Sequence, residues 1–184
     1  DLGPELKPLA VAERQTLGWF QPGDPARFVP DAMPVAILMV DEGPYFTLPT
    51  WGAPGLKIGL HHHRGERGHA DSLSREVTAE DEALLRLCLA RYMPDANGPV
   101  MMMQTCLYTN TPDEHFTIDR LPGNDDVVIA SPCSGHGYKF ASVIGEILAD
   151  LAMQKPPAFD LGMFRLGRFG PAPGLASAAK HGAT

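Results

Sequence analysis

Two helical periodicities and several short apolar runs divide the chain into elements. Apolar residues recur at helical spacing after Thr78-x-x-Asp81, which resembles a capping box, and again from about His136 to Gln154. Short runs bounded by Gly- and Pro-rich turns predict strands at 14–21, 35–40, 45–49, 56–61, 100–110, 116–121 and 126–130. Many short strands with two main helices predict an α+β fold built on a mainly antiparallel sheet.

The strand at Val35–Val40 has no polar alternation, which predicts that both of its faces are covered. The turn Asp41-Glu42-Gly43-Pro44 follows it directly and leads into the strand at 45–49. The two strands therefore form a candidate hairpin.

The strand at 56–61 carries the first candidate site. Lys57, Gly59 and His61 share one face, because side chains alternate along a strand. This face either lines a ligand cavity or is a solvent-facing sheet surface. His61-His62-His63 is not expected to bind one metal ion, since adjacent histidines on a strand point to opposite faces unless the backbone is irregular.

Cys106 and Tyr108 form the second candidate site. They share one face of the strand at 100–110, about 7 Å apart along the strand. A thiol there is a possible nucleophile or covalent attachment point, and the alternative is a small buried apolar residue.

A glycine-rich turn, Ser134-Gly135-His136-Gly137, forms the third candidate site between a strand and a helix. Its glycines allow close backbone approach, and the N–H groups of a helix start favour an anion or an electron-rich oxygen. The alternative is a tight connection without a ligand. Lys139 lies in the predicted first helical turn, where the helix dipole disfavours a cation, so either a substrate carboxylate or chance explains it.

Charge and cysteine content exclude several classes of protein. The chain has 15 Lys and Arg against 22 Asp and Glu, a formal net charge of −7, which argues against nucleic-acid binding. The longest apolar run is strand-sized, so no membrane span is predicted. Three cysteines without a CxxC pair indicate a reducing compartment, and we predict a cytoplasmic protein without a metal site.

The segments that hold these sites resemble the C-terminal half of the monomeric sarcosine oxidase and N-methyltryptophan oxidase family. The most specific matches are Gly55–His61, Cys106–Asp119, Ser134–Phe140 and Asp160–Phe164, and the likeness extends over about residues 14–169. Members are FAD-dependent enzymes that oxidise the C–N bond of secondary-amine amino acids. The FAD-binding βαβ unit of the family lies upstream, and this chain contains no GxGxxG sequence.

The resemblance implies a role for each candidate residue. It implies that FAD is attached through a thioether to Cys106, that Lys57 promotes the reaction of reduced flavin with oxygen, and that His61 and Tyr108 line the substrate cavity. Lys139 would bind the substrate carboxylate. The turn at 134–137 would contact the flavin through Ser134, Gly135, His136 and Gly137.

Three departures from the family pattern bear on substrate size. Leu60 replaces a tyrosine, Cys133 stands where an aromatic residue is common, and Tyr138 replaces a phenylalanine. We predict that these changes affect the substrate cavity and leave the flavin contacts in place.

The resemblance also implies a domain organisation. Residues 1–116 would belong to the substrate domain, 117–155 would return as a strand–turn–helix to the FAD-binding domain, and 156–184 would form an extension and tail. The chain would be the C-terminal portion of an oxidase that converts an N-methyl amino acid such as sarcosine, with oxygen, to an imine and hydrogen peroxide. The alternatives are a silent half-chain that acts only with a separate FAD-binding N-terminal partner, or an oxidase of another amino acid or a deoxyfructosyl-amino acid.

Overall fold

The computed structural model describes residues 4–170 and divides the chain into two compact units. One unit is Glu13–Leu107, and the other combines Asp1–Ala12 with Tyr108–Thr184. The predicted α+β class with a mainly antiparallel sheet and two helices is confirmed. Of the predicted extension and tail at 156–184, residues 171–184 lie outside the described residues.

Within residues 4–170, eight strands form two sheets. The larger sheet has the order β2-β3-β4-β1-β5, with β6 also paired to β1, and the smaller sheet pairs β7 with β8. The strands are β1 Val11–Phe20, β2 Ala36–Val40, β3 Gly43–Leu48, β4 Leu56–Leu60, β5 Arg67–Gly68, β6 Val100–Asn110, β7 Thr117–Leu121 and β8 Asn124–Ser131.

Helix α1 covers one face of the sheet in the unit Glu13–Leu107. It spans Ala79–Tyr92 and begins with the predicted capping box, in which Thr78 and Asp81 each bond to the other's backbone N–H. Its apolar stripe packs on the inward side chains of the strands. The core consists of Phe20, Phe28, Tyr45, Leu56, Ile58, Leu60, Leu85, Cys88, Leu89 and Ala96.

The hairpin of β2 and β3 forms as predicted, but the burial expected for β2 is wrong. Strand β2 lies at the edge of the sheet, and its side chains alternate between half-buried and exposed. Ile37 is 69% exposed and Met39 is 78% exposed. An uninterrupted apolar run therefore does not mark a central strand here.

The second unit packs the β7–β8 hairpin against helix α2. The predicted helix at 136–154 is shorter in the structure: α2 spans Ala141–Ala152 and follows a 3-10 turn at Tyr138–Phe140. Apolar side chains of hairpin and helix meet in a core of Phe116, Ile118, Ile144, Ile147, Leu151 and Leu161. No helix in the described part of the chain is long and apolar enough to cross a membrane.

Candidate active site

Lys57 lies on β4 over an aromatic ring of the neighbouring strand. Trp19 of β1 is its register partner, and the Lys57 ammonium lies 5.1 Å from the centroid of the indole ring. This distance is typical of a cation–π contact. The strand pairing thus fixes a positive charge on the sheet face opposite α1.

Gly59 leaves room on that same face for its neighbours. A Cβ atom at this position would lie 2.3 Å from the ring of Phe46 and 2.9 Å from Leu17. Any larger residue would displace the Phe46 ring, so the glycine predicted to separate Lys57 from His61 has a steric reason.

Cys106 of β6 is half-buried and belongs to the same unit as Lys57. Burial raises the pKa of the Cys106 thiol, and the positive charges of Lys57 and Arg75 offset this only in part. The thiol is therefore the resting form near neutral pH, beside two cations that favour the thiolate.

His61 follows the end of β4. Its backbone N–H donates to the carbonyl of Pro44 at 2.9 Å, and its ring contacts the ring of His62. Lys57, His61 and Cys106 thus lie in one unit.

The glycine-rich turn lies in the other unit, together with Tyr108. Ser134 and Gly135 both have positive φ, at 48° and 77°. A Cβ atom on Gly135 would lie 2.4 Å from the Tyr108 ring. Gly137 is closer still to its surroundings, since a Cβ atom there would lie 1.5 Å from the Pro132 carbonyl oxygen.

Ser134 is 1% exposed and anchors the turn. Its N–H donates to the carbonyl of Thr109 at 2.9 Å, and its hydroxyl lies 3.4 Å from both the backbone N and the Oγ1 of Thr111. Ser134, with its buried side chain, therefore ties the turn to residues 109–111.

His136 and Lys139 are exposed and hold each other in place. The His136 ring stacks on Phe116 at 4.8 Å, and its Nε2 lies 3.0 Å from the Glu114 carbonyl oxygen, to which it donates. Lys139 lies in the 3-10 turn, not in the first turn of the α-helix as predicted, and its ammonium donates to the His136 carbonyl at 2.7 Å.

Two contributors to the site were missed by the sequence reasoning. Trp19 had a partial signal, because it lies in the predicted strand at 14–21, but its pairing with Lys57 depends on the register between β1 and β4. Arg75 had none, since it lies in an irregular polar segment and acts on Cys106 only through the fold.

The replacement at Leu60 lies in the core of its unit, and its predicted effect on substrate size stays a prediction. Leu60 is 6% exposed and packs in the core beneath the sheet. Strand alternation puts it on the face opposite Lys57.

Among residues 4–170, no group of three or more His, Cys, Asp or Glu side chains is arranged to hold a metal ion. In one unit, the exposed Gly135 lies beside the Tyr108 ring. In the other unit, the Cys106 thiol is half-buried, and the charges of Lys57 and Arg75 act on it. Each of these features is compatible with contact to the polar ring of a flavin.

A comparison with known families matches residues 1–151 to the family described as FAD dependent oxidoreductase. A monomeric sarcosine oxidase from Bacillus sp. (strain NS-129) is 44% identical over 158 residues, which are 84% of this chain and 40% of the relative. An N-methyl-L-tryptophan oxidase from Salmonella arizonae is 36% identical over 171 residues, which are 91% of this chain and 44% of the relative. The chain thus spans less than half the length of these relatives.

Solved structures show the same fold. Amadoriase I from Aspergillus fumigatus has a TM-score of 0.68 at 24% identity, covering 89% of this chain and 39% of that one. Glycine oxidase from Geobacillus kaustophilus has a TM-score of 0.64 at 20% identity, covering 87% of this chain and 40% of that one.

Proposed function

Because this chain belongs to the FAD-dependent oxidoreductase family, we propose that the complete protein oxidises the C–N bond of an N-methyl amino acid such as sarcosine. The observation that carries this proposal is the family match over residues 1–151, and the half-buried Cys106 thiol offers the attachment point that the resemblance implies. The likeness to sarcosine and N-methyltryptophan oxidases supports the substrate class.

Cys106 would hold FAD covalently, and the turn at 134–137 would contact the flavin. When bound, FAD would supply a two-electron acceptor: the carbon beside the amine nitrogen loses a hydride and the nitrogen loses its proton, which leaves an imine, and the two electrons and two protons convert oxygen to hydrogen peroxide. Gly135 lacks a side chain that would collide with the Tyr108 ring, and the contacts of the Ser134 hydroxyl with Thr111 would keep the turn in this conformation.

Lys57 would serve the oxygen half of the reaction. Negative charge develops on oxygen as it is reduced, and a fixed cation nearby stabilises that charge. The contact with Trp19 holds the ammonium without neutralising it, which a carboxylate partner would do.

Three residues would bind the amino acid substrate. His61 and Tyr108 would line the cavity, and Lys139 would pair with the substrate carboxylate. Lys139 is exposed, and its ammonium donates to the His136 carbonyl and lies 4.9 Å from the centroid of the Phe140 ring. Within the described part of the chain, no carboxylate pairs with this ammonium that a substrate carboxylate would have to displace.

The remaining domain and partner assignments belong to the same proposal. Residues 1–116 and 117–155 would serve the substrate and FAD-binding domains, with the dinucleotide held by an N-terminal half on the same or another chain. Residues 1–184 alone are expected to bind FAD weakly, because phosphate binding needs the GxGxxG turn that this sequence lacks. The three free thiols are consistent with the cytoplasmic location that we propose.

The attachment is tested by acid denaturation of the complete protein. In the Cys106→Ser variant, denaturation should release all flavin, whereas the Cys133→Ser control, which also replaces a half-buried thiol, should retain it covalently. Flavin that stays bound to Cys106→Ser would show that this cysteine is not the attachment point.

The role of Lys57 is tested by measuring the two half-reactions separately. Lys57→Met should slow reoxidation of reduced flavin roughly 100-fold, the scale of losing one preorganised electrostatic contact. Reduction by sarcosine should change far less, and the exposed Lys155→Met control should change neither step. Equal slowing of both steps in Lys57→Met would indicate a structural role.

A further inference from the structure

The three consecutive histidines after β4 have three different surroundings. His63 is buried, with its Nε2 3.0 Å from Asp81 Oδ1. His62 has a φ of 62°, in the left-handed region that glycine adopts easily and other residues rarely do. This backbone brings the rings of His61 and His62 together, with centroids 4.4 Å apart and planes inclined by 59°.

His62 is held by a buried carboxylate. Glu13 of β1 has a fully buried side chain, and its two oxygens lie 3.1 and 3.2 Å from His62 Nδ1. The guanidinium of Arg67 donates to the same carboxylate at 2.9 Å. Because an ionised carboxylate only accepts hydrogen bonds, Nδ1 of His62 carries the proton in this contact.

We propose that Glu13 and His62 are positioning residues for His61, and that they fix the imidazole that contacts the amino acid substrate. The chain of contacts runs from the buried carboxylate to the His62 ring and from that ring to the His61 ring. It rests on the proposed function, because it concerns the same substrate site.

The backbone at His62 argues for a role beyond folding. A non-glycine residue in the left-handed region is strained, and glycine at this position would avoid that strain. A histidine here is useful if its ring acts on a neighbour. The His62 side chain is 26% exposed, so most of its surface is in contact with the protein.

The test uses the complete flavin-loaded enzyme with sarcosine as substrate. His62→Asn and His62→Gly both tolerate positive φ and both lack the ring, so they separate the imidazole from the backbone conformation. We expect kcat/KM to fall roughly tenfold in each, below the roughly 100-fold that a misplacement of one ångström can cost. The loss should appear mainly in KM, with unchanged flavin content.

A control variant, Glu13→Gln alone and combined with His62→Asn, and His61→Asn complete the design. His69→Asn is the matched control, because His69 is an exposed histidine whose Nδ1 lies 3.6 Å from the Asp71 carboxylate in the same unit, and its kinetics should not change. Glu13→Gln combined with His62→Asn should be no worse than the poorer single variant, since both act through one contact.

The outcomes separate this inference from the proposed function. If His61→Asn lowers kcat/KM while folded His62→Asn and His62→Gly stay within twofold of the natural enzyme, the positioning role is refuted and the oxidase remains. Additive losses in the double variant would also refute it. If no sarcosine-dependent peroxide forms in the natural enzyme, the proposed function itself fails.

Discussion

Replacing Asp81 with asparagine should destabilise the protein by about 3–5 kcal/mol, because it leaves a buried guanidinium without its counter-charge. Arg14 donates to both Asp81 oxygens, at 2.9 and 2.7 Å. The side chains of Arg14 and Asp81 are 2% and 0% exposed, so solvent does not take over the lost interaction. His63 Nε2 and the backbone N–H of Thr78 also bond to this carboxylate.

The size of the effect follows from what the asparagine keeps and loses. An amide oxygen still accepts one bond from Arg14 and one from the Thr78 N–H, so the helix cap is weakened and not removed. The negative charge is lost, and the nearest other carboxylate on Arg14 is Glu66, at 3.8 Å and 35% exposed. A partly solvated carboxylate at that distance compensates only a small part of the cost.

The destabilisation should depend on pH with a definite sign. Burial raises the pKa of the Asp81 carboxyl, but the bonds from Arg14, Thr78 and His63 outweigh burial and hold it below the ordinary value. A lowered folded-state pKa contributes stability that is present above the unfolded-state pKa and is lost as pH falls through the folded-state value. The difference between the natural protein and Asp81→Asn should therefore be largest near neutral pH and shrink below about pH 4.

The assay is denaturant unfolding of the complete protein, followed by the fluorescence of the buried Trp19. Asp95→Asn is the matched control, because Arg27 and Asp95 form the same type of pair with 63% and 53% exposure, and it should cost at most about 1 kcal/mol. If Asp81→Asn changes the free energy of unfolding no more than Asp95→Asn does, the argument from burial is wrong.

Three further predictions test single features of the fold and site. Gly135→Ala should remove flavin from the complete protein and lower the free energy of unfolding by about 1–3 kcal/mol. The reasons are the positive φ of Gly135 and the Tyr108 ring, which lies 2.4 Å from the new Cβ atom. A fully flavinylated variant of unchanged stability would contradict this. Leu60→Tyr, which restores the family residue, should lower the free energy of unfolding by about 1–3 kcal/mol because it overpacks the core. The relative rates on different N-methyl amino acids should stay unchanged. A changed order of substrate preference would place this side chain at the substrate cavity. In flavin-free protein, alkylation of Cys106 by iodoacetamide should accelerate above the ordinary thiol pKa, since burial raises its pKa, and a plateau already below pH 8 would contradict this.

The elements whose patterns are local could be predicted from the sequence. Helix α1 has both its cap residues and its apolar stripe within sixteen residues, and both are found where the spacing puts them. The faces of β4 follow from strand alternation in the same way. Such features need no knowledge of the rest of the chain.

Features that depend on distant neighbours could not be predicted. Strand β2 is apolar throughout, but its exposure depends on whether another strand pairs beyond it. The start of α2 was placed too early because Tyr138–Phe140 has a helical composition yet forms a 3-10 turn. The His62–Glu13 contact joins residues 49 positions apart and depends on a backbone angle that composition does not determine.

Gly137 of the turn at 134–137 is required by the fold itself, independently of any chemistry at the site. Its φ of −84° is ordinary, so any residue could adopt the backbone conformation, and only the Pro132 carbonyl excludes a side chain. The steric conflict between a side chain at position 137 and the Pro132 carbonyl is therefore present whether or not a cofactor is bound. In diverged descendants that have lost the cysteine and lysines of the site, this glycine should still be retained, so its presence in a genome-derived sequence is evidence of the fold and a poor guide to activity.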